Sequence, residues 1–296
     1  MKLSAASGQF NRAPVGAKRF YDETNKEHYL ATSRRTVVKA GAALATMSAV
    51  GIGLRSGVSA QSGDSSTPST TLDGVCVLTP ELTEGPYYLD DMILRDDVTE
   101  GKAGIPLELT LLVLDATTCT PLENAAVEIW HCDAMGFYSG FTENSPGGSD
   151  AYVDDGSDPN TFLRGIQLTD AEGYATFKTI YPGWYSGRDI HIHMKVQIGG
   201  ESSNGTYEGG HVSHTGQLAF ADEITDEVAL IEPYSTKSES FTRLEEDGVF
   251  GNVEDDDPAF FVDLTQVDAA DIAVGFTGTI TVGVDPEATQ SGGQGR

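Results

Sequence analysis

The sequence predicts an all-β fold with a β-sandwich core, long loops and little helix. Three observations carry that expectation: short apolar runs of strand length, clusters of Gly, Pro, Asp and Asn between them, and no sustained amphipathic helical repeat. The 34 glycines and 12 prolines supply the turns, and a hydrophobic share of 39% is enough for a core. In chain order, Leu107-Glu108-Leu109-Thr110-Leu111-Leu112-Val113-Leu114 is the first strand-like run. A turn through Asp115 to Asn124 follows, and Ala125-Ala126-Val127-Glu128-Ile129-Trp130 forms a second run. Further short strands are expected at 162–168, 174–180, 189–198 and 272–283. The polar stretch 142–160 reads as a long surface loop between them. The sequence contains no internal repeat.

This domain is expected to occupy 76–285, preceded by a signal region (1–60) and a disordered Ser/Thr/Gly/Asp-rich linker (61–75), and followed by a disordered tail (286–296). The signal reading rests on Ser33-Arg34-Arg35-Thr36-Val37-Val38-Lys39, which precedes a mildly apolar run from Ala40 to Leu54. That run is 15 residues long and rich in Ala and Gly, too short and weakly apolar to span a bilayer. Val58-Ser59-Ala60 offers a small-residue cleavage site. The ordering is that of a twin-arginine export signal, so the mature protein is expected outside the cytoplasm, extracellular or at the cell surface, with no membrane span. The competing explanation is a chance Arg pair before an ordinary helix.

Charge is one-sided. The chain carries 45 acidic and 18 basic residues; from position 61 onward the count is 42 against nine, a balance of −33. Such a surface repels nucleic acid and anionic lipid headgroups, which excludes both as partners. It also suits a protein kept dispersed in concentrated salt, where repulsion is screened over a few Å; an ordinary acidic secreted protein is the alternative. The three cysteines, Cys76, Cys119 and Cys132, allow one disulfide with one thiol left over, and none lies in a CxxC zinc pattern.

Chemistry concentrates in a few segments. In Asp189-Ile190-His191-Ile192-His193-Met194-Lys195-Val196, strand alternation puts both imidazoles on one face, where they can reach one metal from a rigid backbone. Two His on a solvated strand face would show the same spacing. Just upstream, Pro182-Gly183 makes a turn that can present Tyr185 near the pair, and Gly136 permits a bend that can aim Tyr138 at the same place. With eleven Tyr in the chain, spacing alone does not select these two.

Four segments together resemble the intradiol ring-cleavage dioxygenases: Thr83-Glu84-Gly85-Pro86-Tyr87-Tyr88, Val127 to Tyr138, Thr179 to His193, and His214-Thr215-Gly216-Gln217-Leu218. The similarity runs from Thr79 to Phe220, with the motifs in family order. It implies a β-sandwich core in which two Tyr and two His bind Fe(III), here Tyr138, Tyr185, His191 and His193. Phenolates are hard anionic donors that favour ferric iron, and two of them with one hydroxide neutralise Fe³⁺. The resemblance further implies that Tyr185 is displaced by substrate and acts as an internal base. It places Arg188 where a guanidinium stabilises charge building on the ring, and Gln217 as a polar partner in the pocket. The expected partners are a small aromatic ortho-diol and O₂, and the expected product is a muconate-type diacid.

Only five residues separate Tyr185 from His191, fewer than in the catechol and protocatechuate enzymes, so the chain resembles the shorter, exported branch. His131, His211 and His214 are expected outside the ligand set. A secreted β-sandwich binding module, with Trp130 and Trp184 as stacking platforms, is the reading from a different class. A cupin-type site would want a Glu about four residues after His193, where this chain has Gln197. The acidic stretch from Leu244 to Asp257 either covers the site or coats the surface, and Asn204-Gly205-Thr206 is a single glycosylation sequon.

Overall fold

The computed structural model describes residues 77–142, 159–251 and 259–290. All of them belong to the unit Ser69–Arg296. The segments expected as export signal and linker, with Cys76, most of the expected loop 142–160, and 252–258 of the acidic stretch, lie outside the described residues, as do residues 291–296.

Among the described residues, nine strands form two sheets. The first contains β1 (Pro106–Asp115), β2 (Thr120–Pro121), β5 (Tyr174–Ile180), β8 (Asp263–Gln266) and β9 (Phe276–Val284). Its order is β2-β1-β9-β8, with β5 also pairing β1. The β1–β9 pair is parallel and the others antiparallel. The second sheet has the order β4-β3-β6-β7 and is antiparallel throughout, built from β3 (Ala126–Trp130), β4 (Arg164–Leu168), β6 (His191–Ser203) and β7 (Thr206–Ala219). Among the described residues the helical content is one seven-residue α-helix, α1 (Asp222–Val228), and three single 3-10 turns. None of these helices is long and apolar enough to cross a membrane.

Period-two alternation explains how the sheets close on each other. In β1, Leu107, Leu109, Leu111 and Val113 are buried while Glu108 is exposed. They meet Phe177 of β5, Val282 of β9, and Val127, Ile129, Ile192, Met194 and Val196 of the second sheet. Each such side chain contributes roughly 1.5–3 kcal/mol by leaving water. The opposite face of the second sheet carries Trp130 and Glu128 on β3, His191, His193 and Lys195 on β6, and Gln217 on β7, since Trp130 pairs with His193 and His193 with Gln217. That face is also buried. The segment from Leu82 to Arg95 runs across it, with Leu82 N donating to Thr215 O, Tyr207 N to Met92 O and Arg95 N to Ile166 O.

Three expectations need correction. The last strand starts at Phe276 rather than 272, because Ile272–Val274 forms a 3-10 turn capped by the Asp271 side chain. The sixth strand continues to Ser203 and turns back as β7, a strand the apolar pattern does not show. Residues 286–290 of the expected tail are held, with Gln290 N donating to Val212 O and Ala288 N to Asp285 O. Of the cysteines, Cys119 is disulfide-bonded and Cys132 is free and buried.

Candidate metal centre

Three loops or strands converge at the Trp130–His193 end of the covered face. The loop after β3 brings Tyr138: Asp133 Oδ1 accepts from the backbone N–H of Met135 and Phe137, and Gly136 turns the chain at φ 95°. The loop after β5 brings Tyr185 and Arg188, and the start of β6 brings both histidines. Gly183 joins the two loops. A Cβ built there would stand 2.4 Å from Ala134 O and 2.5 Å from Asp133 O, so only glycine permits this approach, and Gly183 N donates to Asp133 O. The requirement is close contact rather than the turn freedom that Pro182-Gly183 suggests in the sequence.

The donor atoms gather on one point. Tyr138 Oη lies 3.2 Å and Tyr185 Oη 3.1 Å from His191 Nε2, and the two hydroxyls are 3.5 Å apart. His191 Nδ1 donates to Asp189 O at 2.6 Å, which leaves Nε2 as the lone-pair nitrogen facing both phenols. One lone pair cannot serve two hydroxyl donors equally. Two donors held roughly 2 Å from one metal at about a right angle stand close to 3 Å apart, the spacing seen here.

His193 supplies an independent sign. It is 1% exposed, and neither ring nitrogen has a hydrogen-bond partner. Such a group costs about 1–3 kcal/mol unless something takes its lone pair. The ring stacks on Trp130 at 4.9 Å and stands edge-on to His191 at 4.7 Å. Gly85, at φ 74°, packs against it; a Cβ there would lie 3.1 Å from His193 Cε1. Tyr87 stacks on Tyr138 at 4.2 Å. These contacts give the Thr83-to-Tyr88 motif its place: it walls the site.

Burial sets the protonation pattern. It pushes Tyr138 and Tyr185 well above the ordinary phenol range and holds His191 and His193 well below the ordinary imidazole range. Burial thus favours the neutral form of all four donors, and a trivalent cation would reverse the tyrosine preference by binding the phenolates. Two phenolates and two neutral imidazoles can hold ferric iron. Among the described residues, no group of three or more His, Cys, Asp or Glu is arranged to hold a metal, so the tyrosines are essential to this reading.

All six site residues expected from the sequence meet here. Arg188 Nη1 is 3.4 Å from His191 Nε2, and Arg188 Nη2 donates to Gln217 Oε1 at 2.5 Å. Gln217 Nε2 donates to Thr83 O at 2.6 Å, so this amide braces the arginine and the wall instead of standing free in the pocket. His131 is outside the cluster, its ring nitrogens against Cys132 O and Thr179 Oγ1, and burial lowers it to about 4. His211 binds Pro286 O, and His214 is buried with no contact to the four donors among its hydrogen bonds or ring contacts. Gln197, the position a cupin site would need, donates to Glu128 instead.

Sequence reasoning missed Tyr87, Gly85 and Asp247. The first two lie inside a motif it singled out. Asp247 lies in the acidic stretch from Leu244 to Asp257, where nothing distinguishes it from its neighbours: its carboxylate pairs with Arg188 Nε at 2.9 Å.

Comparison with known proteins bears on the same segments. A family model described as dioxygenase matches residues 80–201. A chlorocatechol 1,2-dioxygenase of Cupriavidus pinatubonensis is 27% identical over 153 residues, 43% of this chain and 54% of that protein. A catechol 1,2-dioxygenase 1 of Acinetobacter lwoffii is 33% identical over 111 residues, 36% of this chain and 32% of that protein. The chain thus spans about half or less of the length of these curated relatives. A solved intradiol ring-cleavage dioxygenase from Tetranychus urticae is 31% identical, aligns with a TM-score of 0.61, and covers 73% of this chain and 98% of its own.

Proposed function

The chain belongs to the intradiol ring-cleavage dioxygenase family, and from that premise we propose that it is a non-haem Fe(III) enzyme that opens a catechol-type ring between its two hydroxyl-bearing carbons with O₂, giving a muconate-type diacid. The observation that carries this reading is the convergence of Tyr138, Tyr185 and His191 beside the unpartnered, buried His193. In this reading these four side chains hold the iron. Ferric iron, when bound, would hold the oxygens of the diol and draw electron density from the ring, opening it to O₂.

The chain's own residues divide the remaining work. Tyr138 is 0% exposed and stacked on Tyr87, which suits a permanent ligand. Tyr185 sits on the loop between β5 and β6, where its own pairing is an isolated bridge to Arg188, which suits the phenolate that gives way and takes the substrate's hydroxyl proton. Arg188, with Nη1 turned to the site, is placed to stabilise negative charge developing on the ring. Trp130, Tyr87 and Phe141 keep water from the ligand shell. Export by the twin-arginine route, which carries folded proteins and often a cofactor already inserted, is part of the proposal on sequence grounds.

The test is the visible spectrum of the iron-loaded protein in high salt, before and after anaerobic catechol. The proposal expects a broad tyrosinate-to-Fe(III) band that moves to longer wavelength with catechol. Tyr138→Phe and His193→Ala should each lose bound iron and turnover. A folded, colourless protein that takes up no iron would instead favour the secreted binding module.

A further inference from the structure

Arg188 is held at three points. Nε donates to Asp247 Oδ2 at 2.9 Å, Nη2 to Gln217 Oε1 at 2.5 Å, and Nη1 stands 3.4 Å from His191 Nε2. With a metal on His191 Nε2, Nη1 would be the one guanidinium nitrogen left facing the site. A planar guanidinium fixed at two of its nitrogens cannot swing the third away. The Asp247 side chain is 0% exposed, and both oxygens are used: Oδ2 also accepts from Asp189 N at 2.6 Å, while Oδ1 accepts from Val249 N at 2.6 Å and Phe250 N at 2.8 Å. The 3-10 turn Leu244–Glu246 and Phe250 anchor this carboxylate by packing on Ala219 and Phe260.

We propose that Asp247 is a positioning residue that aims Arg188 at the reacting ring, acting together with Gln217. The inference rests on the dioxygenase reading above. It assigns the acidic stretch a double character: Glu245 and Glu246 stay in solvent, while Asp247 turns inward to the site. Burial alone would raise this carboxyl, but Arg188 and the three backbone amides more than offset it and hold it below the usual range.

Asp247→Asn separates positioning from simple support. The amide oxygen can keep the Val249 and Phe250 bonds, while its NH₂ confronts the N–H groups of Arg188 and Asp189. We expect kcat to fall on the order of 10–100-fold. Iron content, the tyrosinate band and anaerobic affinity for 4-nitrocatechol should stay near wild type. In an Arg188→Ala background the same change should add little, because the group it aims is gone. Should Asp247→Asn not fold, Asp247→Ser keeps an acceptor for the two amides and carries the same expectation. Wild-type kcat in the variant, or a fully additive loss in the Arg188→Ala background, would overturn the assignment and leave the dioxygenase reading intact. Loss of iron and band together with kcat would overturn it too, showing a structural role. A wild-type protein with neither band nor turnover would remove both readings.

Discussion

Glu128 shows how much one side chain's meaning depends on its neighbours. It projects from β3 onto the covered face, two residues before Trp130, where Tyr88 Oη and Gln197 Nε2 both donate to its Oε2 at 3.3 Å. Beside it, Lys195 pairs with Glu84 and lies over the Tyr88 ring, tying the wall segment to β6. Burial outweighs Lys195 and Arg164 and raises Glu128 to about 8. A carboxyl that holds its proton more tightly folded than unfolded stabilises fully below its unfolded value, and that contribution is lost as pH rises through the folded value. The expected outcome is that Glu128→Gln, measured by thermal unfolding, gains on wild type between about pH 5 and about pH 9. Midpoints running parallel across that range would mean that the carboxyl ionises at its ordinary value. At this scale the sequence was most legible where motif and strand period coincide: His191 and His193 follow from alternation, and the tyrosines from family order. Asp247 was illegible, since one acid among 45 carries no local signal of the arginine it will meet.

At the scale of elements, the site depends on loop-to-loop contact as much as on strands. Gly183 seats the Tyr185 loop against the carbonyls of Asp133 and Ala134 in the Tyr138 loop. Gly183→Ala should therefore cost about 1–3 kcal/mol in urea unfolding, the usual range for overpacking, and weaken iron retention because both tyrosine ligands move. A variant as stable as wild type, with full iron, would show that the loops shift apart freely. The missing strand is instructive. β7 pairs with β6 along nearly its whole length, yet Gly209, Gly210 and Gly216 break the apolar alternation by which strands are recognised. The sequence marks it by the His214-to-Leu218 motif and, just before it, by Asn204-Gly205, which also begins a sequon. Both residues have positive φ, 52° and 86°, and form the hairpin turn between β6 and β7. The wall segment from Leu82 to Arg95 has only isolated bridges, so no strand period announces it.

For the whole molecule, charge is the dominant property. A balance of −33 beyond position 60 implies strong self-repulsion in dilute buffer. The Debye length shrinks from about 10 Å at 0.1 M salt to about 3 Å at 1 M, so the thermal midpoint is expected to climb over that range and activity with it. A midpoint that is flat or falls would mean that the acids are spaced widely enough to need no screening. The sequence by itself determined the all-β class, the chain order of the main strands and the family, and it named six residues that the structure brings together, because side-chain period and short motifs are local properties of the chain. Only the tertiary structure decided that β6 turns back on β7, that the Thr83-to-Tyr88 motif walls His193, that Gln217 braces Arg188, and that Asp247 reaches it from 59 positions away. Those facts belong to the packing of one face of a sheet against segments distant in sequence. Burial there makes each unpaired nitrogen or carboxylate costly enough to dictate its partner, and no local pattern encodes which distant segment will supply it.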